Sequence, residues 1–172
     1  DIRLNKNGIR GNGQIDYLAA TMNSEDFIFY PDSVFADGPS MEIREEEHGG
    51  VIFPQMTLTN FDMHWLPKKD SMYIYSTDEP FQIYEQSAAL DGMTTITSRG
   101  VYGKGSLITR GSEMTSEDYN FEHNQFSARH AQFQINSSDP EKPALNGDDV
   151  RLKFNLEESY ADISPEVEGV AA

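Results

Sequence analysis

One stretch of this chain is written twice. Displaced by 92 residues, Ile2–Ile43 falls on Thr94–Ile135 without a gap, and ten of the 42 pairs are identical. They are Gly8/Gly100, Gly11/Gly103, Gly13/Gly105, Met22/Met114, Ser24/Ser116, Glu25/Glu117, Asp26/Asp118, Phe29/Phe121, Ala36/Ala128 and Ile43/Ile135. Pairs such as Leu4/Ile96, Ile9/Val101, Phe27/Tyr119 and Met41/Phe133 keep apolar character. After a three-residue deletion the match resumes, with Met63/Leu152, Trp65/Phe154 and Ile74/Ile163 in step. A chain repeating itself over such a length builds units that share one continuous core. The expected organisation is one β-rich unit of two imperfect copies, about 2–76 and 94–165, joined by a strand-turn segment at 77–93.

Each copy has period two. "QIDYLA", "DFIFY", "SMEIR", "FDMHW" and "MYIYS" alternate apolar with polar residues and are rich in β-formers. Turn chemistry separates them, in "YPDS", "ADGPS", "EHGG" and "LPKKDS". "LAATMNSED" is the one stretch with any helical character. The spacing predicts an all-β protein of antiparallel strands, an elongated, curved two-sheet β-solenoid or trough, or a sandwich, built from the tandem copies. Gly8, Gly11, Gly13, Gly100, Gly103 and Gly105 are expected where the backbone turns or is closely approached. Their spacing superficially resembles a phosphate loop, but strands and not a helix follow them.

The bulk properties narrow the function. A net charge of −16 disfavours nucleic acid and anionic lipid headgroups as partners. The chain has no cysteine, hence no disulfide or thiolate site. No apolar run approaches the ~20 residues of a membrane-spanning helix, so this segment is not expected to span a membrane. The chain opens at Asp1 with no methionine and no signal pattern, and is read as a processed protein or a piece of a longer one.

No catalytic residue, metal or cofactor is assigned. His48, His64, His123 and His130 form no ligand pattern, and none has a histidine counterpart in the other copy. "SED", at Ser24–Asp26 and Ser116–Asp118, reads either as calcium ligands or a carboxylate pair, or as a turn in which side chains satisfy backbone N–H groups. Its duplication favours the turn. Among the aromatics, Tyr30, Trp65, Tyr73 and Tyr75 are the candidates for an exposed sugar-stacking platform.

The "LNKNGIRGNG" block and the following "SEDFIFYPDSVFADGPSMEI" resemble repeat segments of large envelope proteins of Bacteroidota. In a general way they are similar to the strand-repeat proteins of the AsmA/TamB and OstA/LptA types. That resemblance implies an extended β-trough in the cell envelope (periplasmic or outer-membrane associated) or secreted, an apolar inner face that can carry lipid, and no catalytic residues. "DSV" and "DSM" are similar to Bacteroidota O-glycosylation sites, which would make Ser33 and Ser71 acceptors. Three readings follow: a non-enzymatic segment whose partners are neighbouring repeats or another envelope protein, with lipid as the cargo of its conduit form; an extracellular carbohydrate-binding module; and a carboxylate-based hydrolase.

Overall fold

The computed structural model describes residues 2–5, 8–77, 81–83, 86–109, 112–122, 125–135, 145–155 and 160–166. The protein is all-β. Its strands are β1 (Ile2–Asn5), β2 (Gly8–Tyr17), β3 (Ala20–Tyr30), β4 (Ser33–Asp37), β5 (Ser40–Ile43), β6 (Glu46–His48), β7 (Val51–Phe53), β8 (Met56–Thr59) and β9 (Phe61–Leu66). After a single 3-10 turn at Pro67–Lys69 come β10 (Ser71–Thr77), β11 (Phe81–Ile83), β12 (Gln86–Thr97), β13 (Gly100–Thr109), β14 (Ser112–Glu122), β15 (Gln125–Ile135), β16 (Leu145–Asn155) and β17 (Tyr160–Pro165). "LAATMNSED" is not helical: Leu18 and Ala19 form a turn and the rest enters β3. There Ala20 and Met22 are buried on one face, and burial at every second residue is strand periodicity.

All pairings are antiparallel, and every strand except the β6–β7 hairpin belongs to one sheet. Its order is an up-and-down meander in which several long strands are interrupted midway. One edge of β3 pairs with β4 through Phe27 opposite Ala36, then with β5 through Met22 opposite Met41. One edge of β12 pairs likewise with β11, then with β10. Among the described residues β1 pairs only with β2 and β17 only with β16, so the sheet does not close.

The two sequence-matched stretches hold the same register. Val34 opposite Trp65, Ala36 opposite Met63, Met41 opposite Leu58 and Ile43 opposite Met56 correspond to Phe126 opposite Phe154, Ala128 opposite Leu152, Phe133 opposite Gly147 and Ile135 opposite Leu145. The left-handed residues correspond as well. Gly38 (φ 60°) matches His130 (φ 47°), and Asn60 (φ 55°) matches Asp149 (φ 52°).

These mid-strand kinks and bulges let the sheet double over. Tyr17 ends β2, beside Ala20 at the start of β3. Asp70 lies beyond the opposite ends of the strands, next to the Ser71–Leu66 pair. An 11-residue strand such as β3 is roughly 35 Å long at ~3.3 Å per residue, yet the Tyr17 hydroxyl lies 2.6 Å from Asp70 Oδ1. The sheet must therefore fold back until both ends of its strands meet. Phe27, Phe61, Met63, Met72, Ile74, Ile96, Val101 and Tyr119 fill the space enclosed, all 2% exposed or less. Burying each such side chain contributes about 1.5–3 kcal/mol. The β6–β7 hairpin adds Phe53, wholly buried, and brings β7 against β13 and β14.

Candidate functional site

The repeated glycines do three different things. Gly8 and Gly100 open β2 and β13, and Gly100 follows the two-residue turn at Ser98–Arg99. Gly13 (φ 150°) and Gly105 (φ 121°) lie inside strands, where the register slips. Gly11 is opposite Phe27 and Gly103 opposite Tyr119. A Cβ on Gly103 would come 2.1 Å from Tyr119 Cζ, so this glycine makes room for a ring.

"SED" is a β-bulge. Between the Gly11–Phe27 and Gly13–Ser24 pairs β3 carries one residue more than β2, and β14 does the same against β13. Ser24 Oγ accepts the Asp26 N–H at 3.1 Å, and Ser116 Oγ accepts the Asp118 N–H at 3.1 Å. Each serine thus captures a backbone donor near the register slip, a strand-interior version of the capture expected at a turn. Asp26 also pairs with Arg10 at 3.0 Å. Among the described residues no three His, Asp or Glu side chains are grouped to hold a metal ion. His48 packs edge-on to Phe53, while His123 lies outside the described residues.

Where the doubled sheet meets itself, Asp70 gathers three donors from two residues. Its carboxylate accepts from the Tyr17 hydroxyl at 2.6 Å, from the Ser98 N–H at 3.1 Å and from the Ser98 hydroxyl. The Ser98 hydroxyl bond above all, then that from Tyr17, holds Asp70 below the usual carboxylate range. Burial, then the hydrogen bond to Asp70, pushes Tyr17 up. A recess of about 420 Å³ beside this junction is lined by Lys69, Asp70, Ser71, Thr97, Arg99 and Tyr102. Ser71 donates to Lys69 O at 3.0 Å. Ser33 begins β4 after the Pro31–Asp32 turn, and Lys68 bridges from the neighbouring turn to Asp32.

The outer face carries an aromatic row. Tyr30 and Phe35 meet edge-on at 5.7 Å, Phe35 stacks on His64 at 4.1 Å, and His64 approaches Tyr73 at 6.1 Å. Tyr30 and Tyr75 are 42% and 39% exposed, and Tyr73 is half-buried. Trp65 is on the other side: it packs against Tyr17 at 5.2 Å, and its buried Nε1 meets no acceptor among the described residues. Phe35 and His64 were legible by parity, since each lies between two inward positions of its strand. In the second copy the matching outer positions are polar, with Ser127 for Phe35, Lys153 for His64 and Asp162 for Tyr73. Inner positions stay apolar in both copies, because burial demands it. The fold does not demand an aromatic outer row, which makes that row the candidate surface.

Fold and surface together define an all-β protein of one large, open antiparallel sheet. No protein-family model, curated protein or solved structure matched this chain in comparison.

Proposed function

We propose that the chain is a non-enzymatic structural segment of a larger bacterial envelope protein, a curved trough of tandem β-units continued by neighbouring units. The shared register of residues 2–76 and 94–165, down to the left-handed pairs Gly38/His130 and Asn60/Asp149, carries this reading. The resemblance to envelope trough proteins supports the location. A scaffold is favoured over a lipid conduit because Phe27, Phe53, Phe61 and Tyr119 occupy the apolar interior themselves.

The test is a chain of residues 1–160 followed by residues 72–172, which inserts one further unit at equivalent positions. It should unfold cooperatively with no loss in thermal midpoint, since each unit of a repeat array adds its own interface. An added segment that aggregates, or that protease removes while the parent survives, would sink the reading.

The outer row of Tyr30, Phe35, His64 and Tyr73 favours a second reading, an extracellular carbohydrate-binding module with sugar rings stacked on the aromatics. A glycan array should then retain ligand on the parent and lose it on Phe35→Ser with Tyr73→Ala. Retention by neither protein removes this reading.

A further inference from the structure

The geometry points to a partner for each open edge: β17 of one molecule receives β1 of a second copy of this chain, in the register that β10 and β12 already hold. This deepens the structural-segment reading and rests on it: where a neighbouring unit would continue the sheet of a longer protein, a second copy takes the same place on this chain alone.

Inside the chain β10 meets β12 with Met72 opposite Ile96, Tyr73 opposite Thr95 and Ile74 opposite Thr94. β17 is the counterpart of β10. It faces β16 with Tyr160 opposite Asn155, Ala161 opposite Phe154 and Ile163 opposite Leu152, as β10 faces β9 with Ser71 opposite Leu66, Met72 opposite Trp65 and Ile74 opposite Met63. β1 is the counterpart of the end of β12. Leu4 opposite Ile9 and Asn5 opposite Gly8 repeat Ile96 opposite Val101 and Thr97 opposite Gly100. Transferring the internal junction places Ala161 opposite Leu4, Asp162 opposite Arg3 and Ile163 opposite Ile2 of the second copy.

Burial supports the transfer. Ile74 is 0% exposed under β12, but its counterpart Ile163 is 38% exposed. Val101 is 0% exposed, but its counterpart Ile9 is 40% exposed. The β17 edge thus leaves in water an apolar side chain whose counterpart in the internal junction is covered, and Ile9, one strand in from β1, is more exposed than Val101, on a strand against which β7 also packs. Charge supports it too, because the transfer sets Asp162 against Arg3, a favourable cross-strand pair. The two surfaces differ, so the contact is head-to-tail, and each added copy presents the same pair of edges again.

The absence of cysteine makes the test direct. Arg3→Cys and Asp162→Cys proteins, mixed and oxidised, should give a cross-linked dimer at least about tenfold above either protein alone or either mixed with Glu113→Cys. Sedimentation of the unmodified chain should show a concentration-dependent ladder of masses. Ile163→Asp should abolish the ladder without altering the fold, since that side chain is exposed in the single molecule. Arg3→Asp should weaken assembly, and added Asp162→Arg should restore it. A monomer at every concentration, self-linking of Asp162→Cys, or indifference to the charge swap would overturn the inference. If the extended chain described above still folds, the segment reading survives that failure.

Discussion

Tyr17 and Asp70, 53 positions apart, are joined by a 2.6 Å hydrogen bond that fastens one end of the strands to the other. Removing the donor with Tyr17→Phe should cost about 1.5–3 kcal/mol, as expected for a hydrogen bond to a charged acceptor. The acid dependence has a defined sign. Asp70 is held below the ordinary carboxylate range, first by the Ser98 hydroxyl. Its contribution is therefore present above the unfolded pKa of about 3.9 and lost as pH falls through the lower folded value. Urea unfolding at about pH 7 and about pH 3 should show a smaller acid loss in Asp70→Asn than in the parent.

Gly103 is expected to be intolerant of any side chain, although its backbone is ordinary. Alanine there would drive its Cβ into the Tyr119 ring, which is 1% exposed and hydrogen bonded to Thr94 at 2.8 Å. Burial pushes the Tyr119 phenol up to about 12, so it keeps its proton. Gly103→Ala should cost about 1–3 kcal/mol by overpacking. Combined with Tyr119→Ala it should be strongly non-additive, because the smaller side chain removes the clash. Thermal unfolding of the four proteins in that cycle checks this.

Inner and outer faces should respond differently to truncation. Phe27→Ala removes a ring 1% exposed and should cost about 3–5 kcal/mol. Phe35→Ser, which installs the residue found at the matching position of the second copy, should cost less than about 1.5 kcal/mol at a site 37% exposed. Equal losses in denaturant midpoint would mean that the aromatic row is part of the fold.

His130 and Asp149, both left-handed, form a pair at 2.8 Å where the first copy has Gly38 and Asn60. The hydrogen bond to Asp149 raises the imidazole above its usual range. Stability from this pair is full below the unfolded pKa of about 6.5 and is lost as pH rises through the higher folded value. Asp149→Asn, which tolerates the same backbone, should flatten that change in a urea-midpoint series across neutral pH. An NMR titration in which His130 is unmoved by Asp149→Asn would refute the coupling.

Local pattern was legible without coordinates. Alternation at Met22, Phe27, Val34 and Ala36 marks inward positions because a strand has only two faces, and the duplicated "SED" marks a backbone irregularity because its serine can satisfy a stray N–H. The helical character of "LAATMNSED" gave way because pairing with β2 and β5 across the sheet outweighs weak local propensity. His130 carries no signal of its left-handed backbone, which comes from matching Gly38 across the copies.

The sequence by itself determined the strand period, the internal match at a displacement of 92 residues and the apolar face, since these depend on neighbours one, two or ninety-odd residues away. Only the tertiary structure decided that the sheet doubles back to join Tyr17 to Asp70, that Trp65 turns inward while Phe35, His64 and Tyr73 line the outside, and that Ile163 is exposed at an open edge and Ile9 one strand in from the other. Those outcomes turn on which strand lies beside which, and on where accumulated bends bring distant turns together. No local pattern encodes either, because the same alternation fits a flat sheet and a folded one equally well.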